Sequence, residues 1–325
     1  MPIKDFIIFI IAIAVIIKSA DLFTSGASAL AQVLRIPRMI IGLTIVSLAT
    51  SAPEFSVSTI SSSMGLGGMA VGNALGSDIA NIGLVLGLAA MVRSIHFQPK
   101  LIKLELKFLI GTILFLFLLM LDFRRGLGGI FKEGNLGFGD GLLLSILLIG
   151  SFIYIVRREL RRRRETIKDS APSPGMRRAL LKFLLGAVGV IAAAKYGIVP
   201  SGISIANFLG VPKVVIGLSL VAVGTSLPEL FTALVAASKG MGDIAAGTVI
   251  GSNIVNILWV LGTSSLINPL AIDSQTLRVT MPVLLSLTLL MLIFARSGFR
   301  LVRWEGGVLL LIYSAYLAYL FKFAY

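Results

Sequence analysis

The chain has no cysteine and one histidine, His96. The first absence removes disulfides, thiolate metal sites and a cysteine nucleophile. The second means that any His-ligated metal cluster or Ser-His-Asp triad would rest on His96 alone. That residue lies in the loop-like stretch Ser94-Ile95-His96-Phe97-Gln98-Pro99, where it reads as an interfacial loop residue. Charge is scarce too: of 325 residues, 29 are Lys or Arg and 15 are Asp or Glu, 14% in all. Soluble domains carry about 25% charged residues. So thin a polar shell cannot cover a soluble core, which excludes a soluble enzyme, a coiled coil and a disordered chain. The net charge of +14 would suit nucleic acid only with a basic face on a soluble module, so no nucleic-acid partner is expected. No phosphate-binding loop is present either, since Gly65-Leu66-Gly67-Gly68 is not followed by a Lys-Ser/Thr pair.

Apolar residues are plentiful, at 57%. A bilayer core of about 30 Å needs about 20 apolar residues of helix. Ten such runs are found, near 3–31, 38–62, 69–92, 104–121, 140–156, 179–199, 213–238, 244–268, 279–295 and 304–322. The expected fold is therefore an all-α polytopic membrane protein. The first run lacks a basic n-region and is too long for a signal-peptide core, so it reads as a retained span. The longest polar stretch runs from Arg157 to Arg178 and includes Arg161 to Arg164. It divides the chain into a first five-helix half (1–156), a basic linker (157–178) and a second half (179–325). The positive-inside rule puts the linker in the cytoplasm and both termini outside, in a plasma (inner) membrane. With that orientation 20 Lys/Arg fall on the inside and seven on the outside. Asp21 and Lys18 fall near the cytoplasmic end of the first span, either as an i, i+3 pair or as part of a gate.

The two halves are related. Residues 38–87 align without gaps to 213–262 at a constant offset of 175, with 21 of 50 identical. Each copy covers spans two and three of its half. Five spans per half is an odd number, so the halves run through the membrane in opposite senses: ten transmembrane helices as two inverted five-helix repeats.

The repeat carries its polar residues where they are most costly. Pro53 and Pro228 remove the backbone bonds to Ala49 and Gly224 and interrupt span two of each half. Next to each break sits an acid, Glu54 and Glu229. A charge at the bilayer centre costs from roughly 3 to more than 10 kcal/mol, so a symmetric pair calls for a function. Thr50, Ser51, Thr225 and Ser226 precede the prolines. Ser77 and Asn81 share one face of span three, and Ser252 and Asn256 share one face of span eight, at i, i+4. Every candidate ligand is an oxygen, the preference of hard cations such as Ca2+, which takes six to eight at about 2.3–2.6 Å. Two carboxylates neutralise one Ca2+ or two Na+. Such a site is neutral with either cargo and doubly negative when empty, which favours exchange over leak.

At these residues the sequence resembles the calcium/cation antiporter superfamily, specifically the short bacterial and archaeal sodium/calcium exchangers. The motif G-T-S-x-P-E is present as Gly224 to Glu229 and, with Ala49 for Gly, as Ala49 to Glu54. G-S-x-I-x-N-I is present at Gly76 to Ile82 and Gly251 to Ile257. The resemblance implies that Glu54 and Glu229 hold Ca2+ or Na+, ringed by Thr50, Ser51, Ser77, Asn81, Thr225, Ser226, Ser252 and Asn256. It also implies that spans one and six slide against the other eight. Two departures stand out. Several members of the family carry Asp where this chain has Asn256. Conversely, Asp78 stands where the second repeat has Asn253, either as a third carboxylate of the metal site or as the partner of a lysine elsewhere.

The reading is thus an antiporter that exchanges Ca2+ for Na+ by alternating access. It is not an enzyme, has no cofactor beyond its transported ions, and has the lipid bilayer but no obligate protein as partner. A Ca2+/H+ antiporter on the same two glutamates, a K+-dependent exchanger and a cation channel stay open as alternatives.

Overall fold

The computed structural model describes residues 3–97, 99–121, 133–166, 175–208 and 222–323. Helix dominates them. In chain order the helices are α1 (Ile3–Leu34), α2 (Arg38–Ile41), α3 (Ser47–Thr50), α4 (Ala52–Ser63), α5 (Gly67–Ala80), α6 (Gly87–Val92), α7 (Pro99–Met120) and α8 (Phe138–Thr166), then α9 (Met176–Ala192), α10 (Val199–Phe208), α11 (Ala222–Thr225), α12 (Leu227–Ser238), α13 (Gly242–Val255), α14 (Gly262–Ile267), α15 (Met281–Arg296) and α16 (Arg303–Phe323). Short π-helical segments at Gly42–Val46, Asn81–Leu86, Ala193–Ile198 and Asn256–Leu261 join α2 to α3, α5 to α6, α9 to α10 and α13 to α14.

Among the described residues, seven helical stretches are long and apolar enough to cross a membrane: Lys4–Leu34, Gly67–Val92, Phe138–Ile155, Met176–Ile198, Gly242–Ile267, Thr276–Arg296 and Arg303–Lys322. Three of the ten expected spans are missing from this set. The run 38–62 is divided into α2, a π segment, α3 and α4, none long enough alone. The run 213–238 is likewise divided between α11 and α12, and its first part lies outside the described residues. Helix α7 is one unbroken helix, but its first turns carry Lys100, Lys103, Glu105 and Lys107. Helix α8 continues to Thr166, so the first residues of the expected linker extend the span rather than forming a loop.

The helices are layered by burial. In the most apolar part of Gly242–Ile267, 94% of residues are buried, against 22% in Lys4–Leu34. The repeat helices therefore form the centre, and α1 forms a face. Ile7, Ile10 and Ile11 of α1 and Leu184, Leu185 and Val188 of α9 stay exposed, a surface suited to lipid. Helix α1 packs along α9, with the rings of Phe23 and Phe183 4.7 Å apart.

Within lipid, association depends on close packing rather than on the hydrophobic effect. The centre obtains it through glycine. A β-carbon on Gly42 would lie 2.7 Å from the Ile244 carbonyl oxygen of α13, and one on Gly251 would lie 2.7 Å from the Ser47 hydroxyl. Any side chain at these positions would push the broken helix off α13. The mirror position of Gly42, Gly217, lies outside the described residues.

Two antiparallel ribbons tie loops together at opposite ends. Ile95 and His96 pair with Leu301 and Arg300. Gly134, Asn135 and Leu136 pair with Ile272, Ala271 and Leu270. The first ribbon joins two loops expected on the cytoplasmic side, and the second joins two expected outside. Arg38 and Asp243, also on the expected cytoplasmic side, approach to 3.7 Å.

Candidate functional site

The site forms where the two broken helices meet α5 and α13. Ser51 (φ −80°, ψ 6°) and Ser226 (φ −88°, ψ 7°) leave the helical conformation in the same way, one residue before α4 and α12 begin. Pro53 and Pro228 sit in the first turn of those helices, where proline's missing N–H is tolerated. Glu54 and Glu229 follow in the same turn, so each carboxylate lies at a helix N-terminus, which favours negative charge. Both are fully buried.

The hydrogen bonds cross between the halves. Ser226 donates to Glu54 Oε1 at 3.1 Å, and Ser51 donates to Glu229 Oε1 at 3.2 Å. Helices α5 and α13 add an equivalent bond within each half: Ser77 to Glu54 Oε1 at 3.4 Å and Ser252 to Glu229 Oε1 at 3.3 Å. Each glutamate thus has Oε1 held by two hydroxyls, one from each repeat. Thr50 also reaches Glu229, and Thr225 reaches Glu54. The Thr50 hydroxyl lies 3.3 Å from the Ser47 carbonyl, and that of Thr225 lies 3.4 Å from Asn73 Oδ1.

One helical turn further on, Asn81 donates through Nδ2 to Asn253 Oδ1 at 3.1 Å. Asn256 donates through Nδ2 to Asp78 Oδ1 at 3.0 Å. These bonds also cross between repeats. A π segment begins at Asn81 and another at Asn256, a local irregularity common at functional positions. Among the described residues, Glu54 Oε2, Glu229 Oε2, Asp78 Oδ2, Asn81 Oδ1 and Asn256 Oδ1 have no hydrogen-bond partner, although all are buried. Leaving such an atom unsatisfied costs about 1–3 kcal/mol, and more when it is charged. All five are oxygens, and three belong to carboxylates. The arrangement can hold a hard cation and has no group suited to a soft one.

All eleven residues expected at the site are buried, and they lie on the broken helices, α5, α13 and the start of the two π segments. The Asp78 carboxylate meets Asn256, and no lysine pairs with it among the described residues. Two participants escape a reading of the sequence. Asn73 donates to the Glu54 carbonyl oxygen at 3.2 Å and to the Ser58 hydroxyl at 2.9 Å. It precedes Ser77 and Asn81 at the same i, i+4 interval, and that spacing was the available signal. Asn253 accepts from Asn81 and donates to the Asp78 carbonyl oxygen at 3.1 Å. Its signal was its position opposite Asp78 in the repeat. Outside the site, Asp21 forms its ion pair with Lys239, after α12, at 2.5 Å, not with Lys18.

Comparison with known proteins gives one family. The family described as sodium/calcium exchanger protein matches residues 4–157 and 178–322. The sodium/calcium exchanger MaX1 of Methanosarcina acetivorans is 33% identical, over 98% of each chain. The putative antiporter CaxA of Alkalimonas amylolytica is 37% identical, over 97% of this chain and 98% of its own. A solved structure of the sodium-calcium exchanger NCX_Mj, soaked with Na+ and Sr2+, superposes with a TM-score of 0.83 at 31% identity, covering 98% of this chain and 99% of that one.

Proposed function

The chain belongs to the sodium/calcium exchanger protein family, and on that premise we propose that it exchanges Ca2+ for Na+ across a membrane through the Glu54/Glu229 site. It is an integral membrane protein with apolar spanning helices. The observation that carries the reading is the crossed pair of carboxylates: each glutamate is clamped on one oxygen by serines from both repeats and keeps the other free. Two negative charges are balanced by one Ca2+ or two Na+. Without cargo, two bare carboxylates would have to change sides in a medium of low dielectric, at a cost of several kcal/mol each. Loaded, the glutamate pair is close to neutral. This difference couples the movement of one ion to the return of the other.

In this reading the cargo is held by Glu54, Glu229, Thr50, Ser51, Ser77, Asn81, Thr225, Ser226, Ser252 and Asn256. Asp78 acts through Asn256, to which its carboxylate is already bonded. The architecture is ten spans in two inverted repeats, 1–156 and 179–325, joined by a cytoplasmic linker at 157–178, with both termini outside. The two ribbons support it, since each joins loops assigned to the same side. The family profile supports it as well, passing over residues 158–177. Spans one and six, packed together as α1 and α9, move against the remainder. The protein sits in the inner membrane, needs lipid but no protein partner, and catalyses no covalent step.

The test is 45Ca2+ uptake into proteoliposomes with Na+, K+ and H+ gradients imposed one at a time. The reading expects uptake driven by an outward Na+ gradient alone. Uptake driven by a proton gradient without Na+ would make this a Ca2+/H+ antiporter, and a requirement for K+ would add a third ion.

A further inference from the structure

We propose that Asp78 and Asn253 are positioning residues that aim the side-chain oxygens of Asn81 and Asn256 at the transported ion. The proposal rests on the reading of the glutamate pair as the ion site. An asparagine amide has two ends of nearly equal shape and opposite use: its oxygen binds a cation and its NH2 repels one. Asn81 and Asn256 are buried, at 1% and 0% exposure, so their neighbours decide which end faces the ion.

The neighbours set the orientation of each amide. Asn256 turns its Nδ2 to the Asp78 carboxylate, 3.0 Å away. Asn81 turns its Nδ2 to Asn253 Oδ1, 3.1 Å away. Asn253 is itself an amide, but its Nδ2 donates to the main-chain oxygen of Asp78 at 3.1 Å, and a carbonyl can only accept. Both orientations therefore trace to one residue. The Asp78 side chain fixes Asn256 directly, and its backbone fixes Asn81 through Asn253. What remains is Oδ1 of Asn81 and Oδ1 of Asn256, both without a protein partner. At the offset of 175, the bond from 81 to 253 and the bond from 256 to 78 are the same bond. Asp at one position and Asn at the other do one job. Position 78 therefore needs an acceptor, and its charge is incidental.

The test is the Ca2+ concentration dependence of Na+-driven 45Ca2+ uptake in proteoliposomes. Asp78→Leu and Asn253→Leu should each raise the KM for Ca2+ about 10–100-fold, the usual cost of losing a group that orients a metal ligand, with a smaller change in maximal rate. Asp78→Asn keeps an acceptor and should recover most of that loss. So should the exchange of Asp78→Asn with Asn253→Asp in one chain. Should the leucine variants fail to fold, Asp78→Ala and Asn253→Ala carry the same expectation. The proposal is overturned if Asp78→Asn loses as much affinity as Asp78→Leu, or if the leucine or alanine variants keep the wild-type KM. Glu54→Gln separates the two readings. If it keeps the wild-type KM, the ion site itself is misplaced. If it abolishes uptake while Asp78→Leu does not raise the KM, only the positioning role fails.

Discussion

Glu54 of the first repeat takes hydroxyls from Ser77 and Ser226, and Glu229 of the second takes them from Ser252 and Ser51. The two sets superpose residue for residue at the offset of 175. A layer further out the repeats part. Asn73, with three hydrogen bonds, stands opposite Thr248, whose buried hydroxyl has no partner among the described residues. Asp78 stands opposite Asn253. Phe55 stacks on Trp259 at 4.2 Å, where the mirror residues are Leu230 and Leu84. Identity is kept among the residues that bond the two glutamates. It is relaxed one layer out, where the contacts still cross between the repeats but different side chains make them.

This comparison is open to breakage at several points. The largest expected effect is at the acids. Glu54→Gln and Glu229→Gln should each reduce Na+-driven 45Ca2+ flux by at least about 100-fold, because losing one of two buried countercharges costs about 3 kcal/mol or more. The two losses should match. Loss in one variant alone would show that one repeat, not both, holds the ion. Next come the crossed serines. Ser51→Ala and Ser226→Ala each remove a hydroxyl from the opposite glutamate, worth about 1.5–3 kcal/mol for a bond to a charged group. The KM for Ca2+ should rise about tenfold or more in each. Normal affinity in both would mean that the crossed contacts do not shape the site. The smallest effect measures the asymmetry. Asn73→Ala should lower thermal stability by about 1–2 kcal/mol, while Thr248→Ala, removing an unbonded hydroxyl, should stay within about 0.5 kcal/mol. Equal losses would put the divergence of the two halves in question.

The offset of 175 makes the site legible in the sequence, because it pairs each polar residue with a copy of itself and so marks Glu54, Glu229 and their hydroxyl neighbours. It says nothing of which copy touches which. Ser51 is near Glu54 in sequence yet bonds Glu229, and the bonds from Asn81 to Asn253 and from Asn256 to Asp78 span 172 and 178 residues. Asn253 was missed because its role exists only in contact with the other repeat. Asp21 found Lys239 rather than Lys18 for the same reason: its partner is 218 residues away. Hydropathy finds the runs 38–62 and 213–238 as spans, and the helix geometry shows the break in each, at Ser51 and Ser226. The breaks place Glu54 and Glu229 in the first turns of the helices that follow.

The central claim is that both repeats build one site that Ca2+ and Na+ occupy in turn. Equilibrium 45Ca2+ binding to the purified protein, titrated with Na+, tests it most directly. The account predicts that Na+ displaces Ca2+ competitively and that Glu54→Gln and Glu229→Gln each abolish binding. Ca2+ binding that is indifferent to Na+, or that survives either substitution at wild-type affinity, would contradict it.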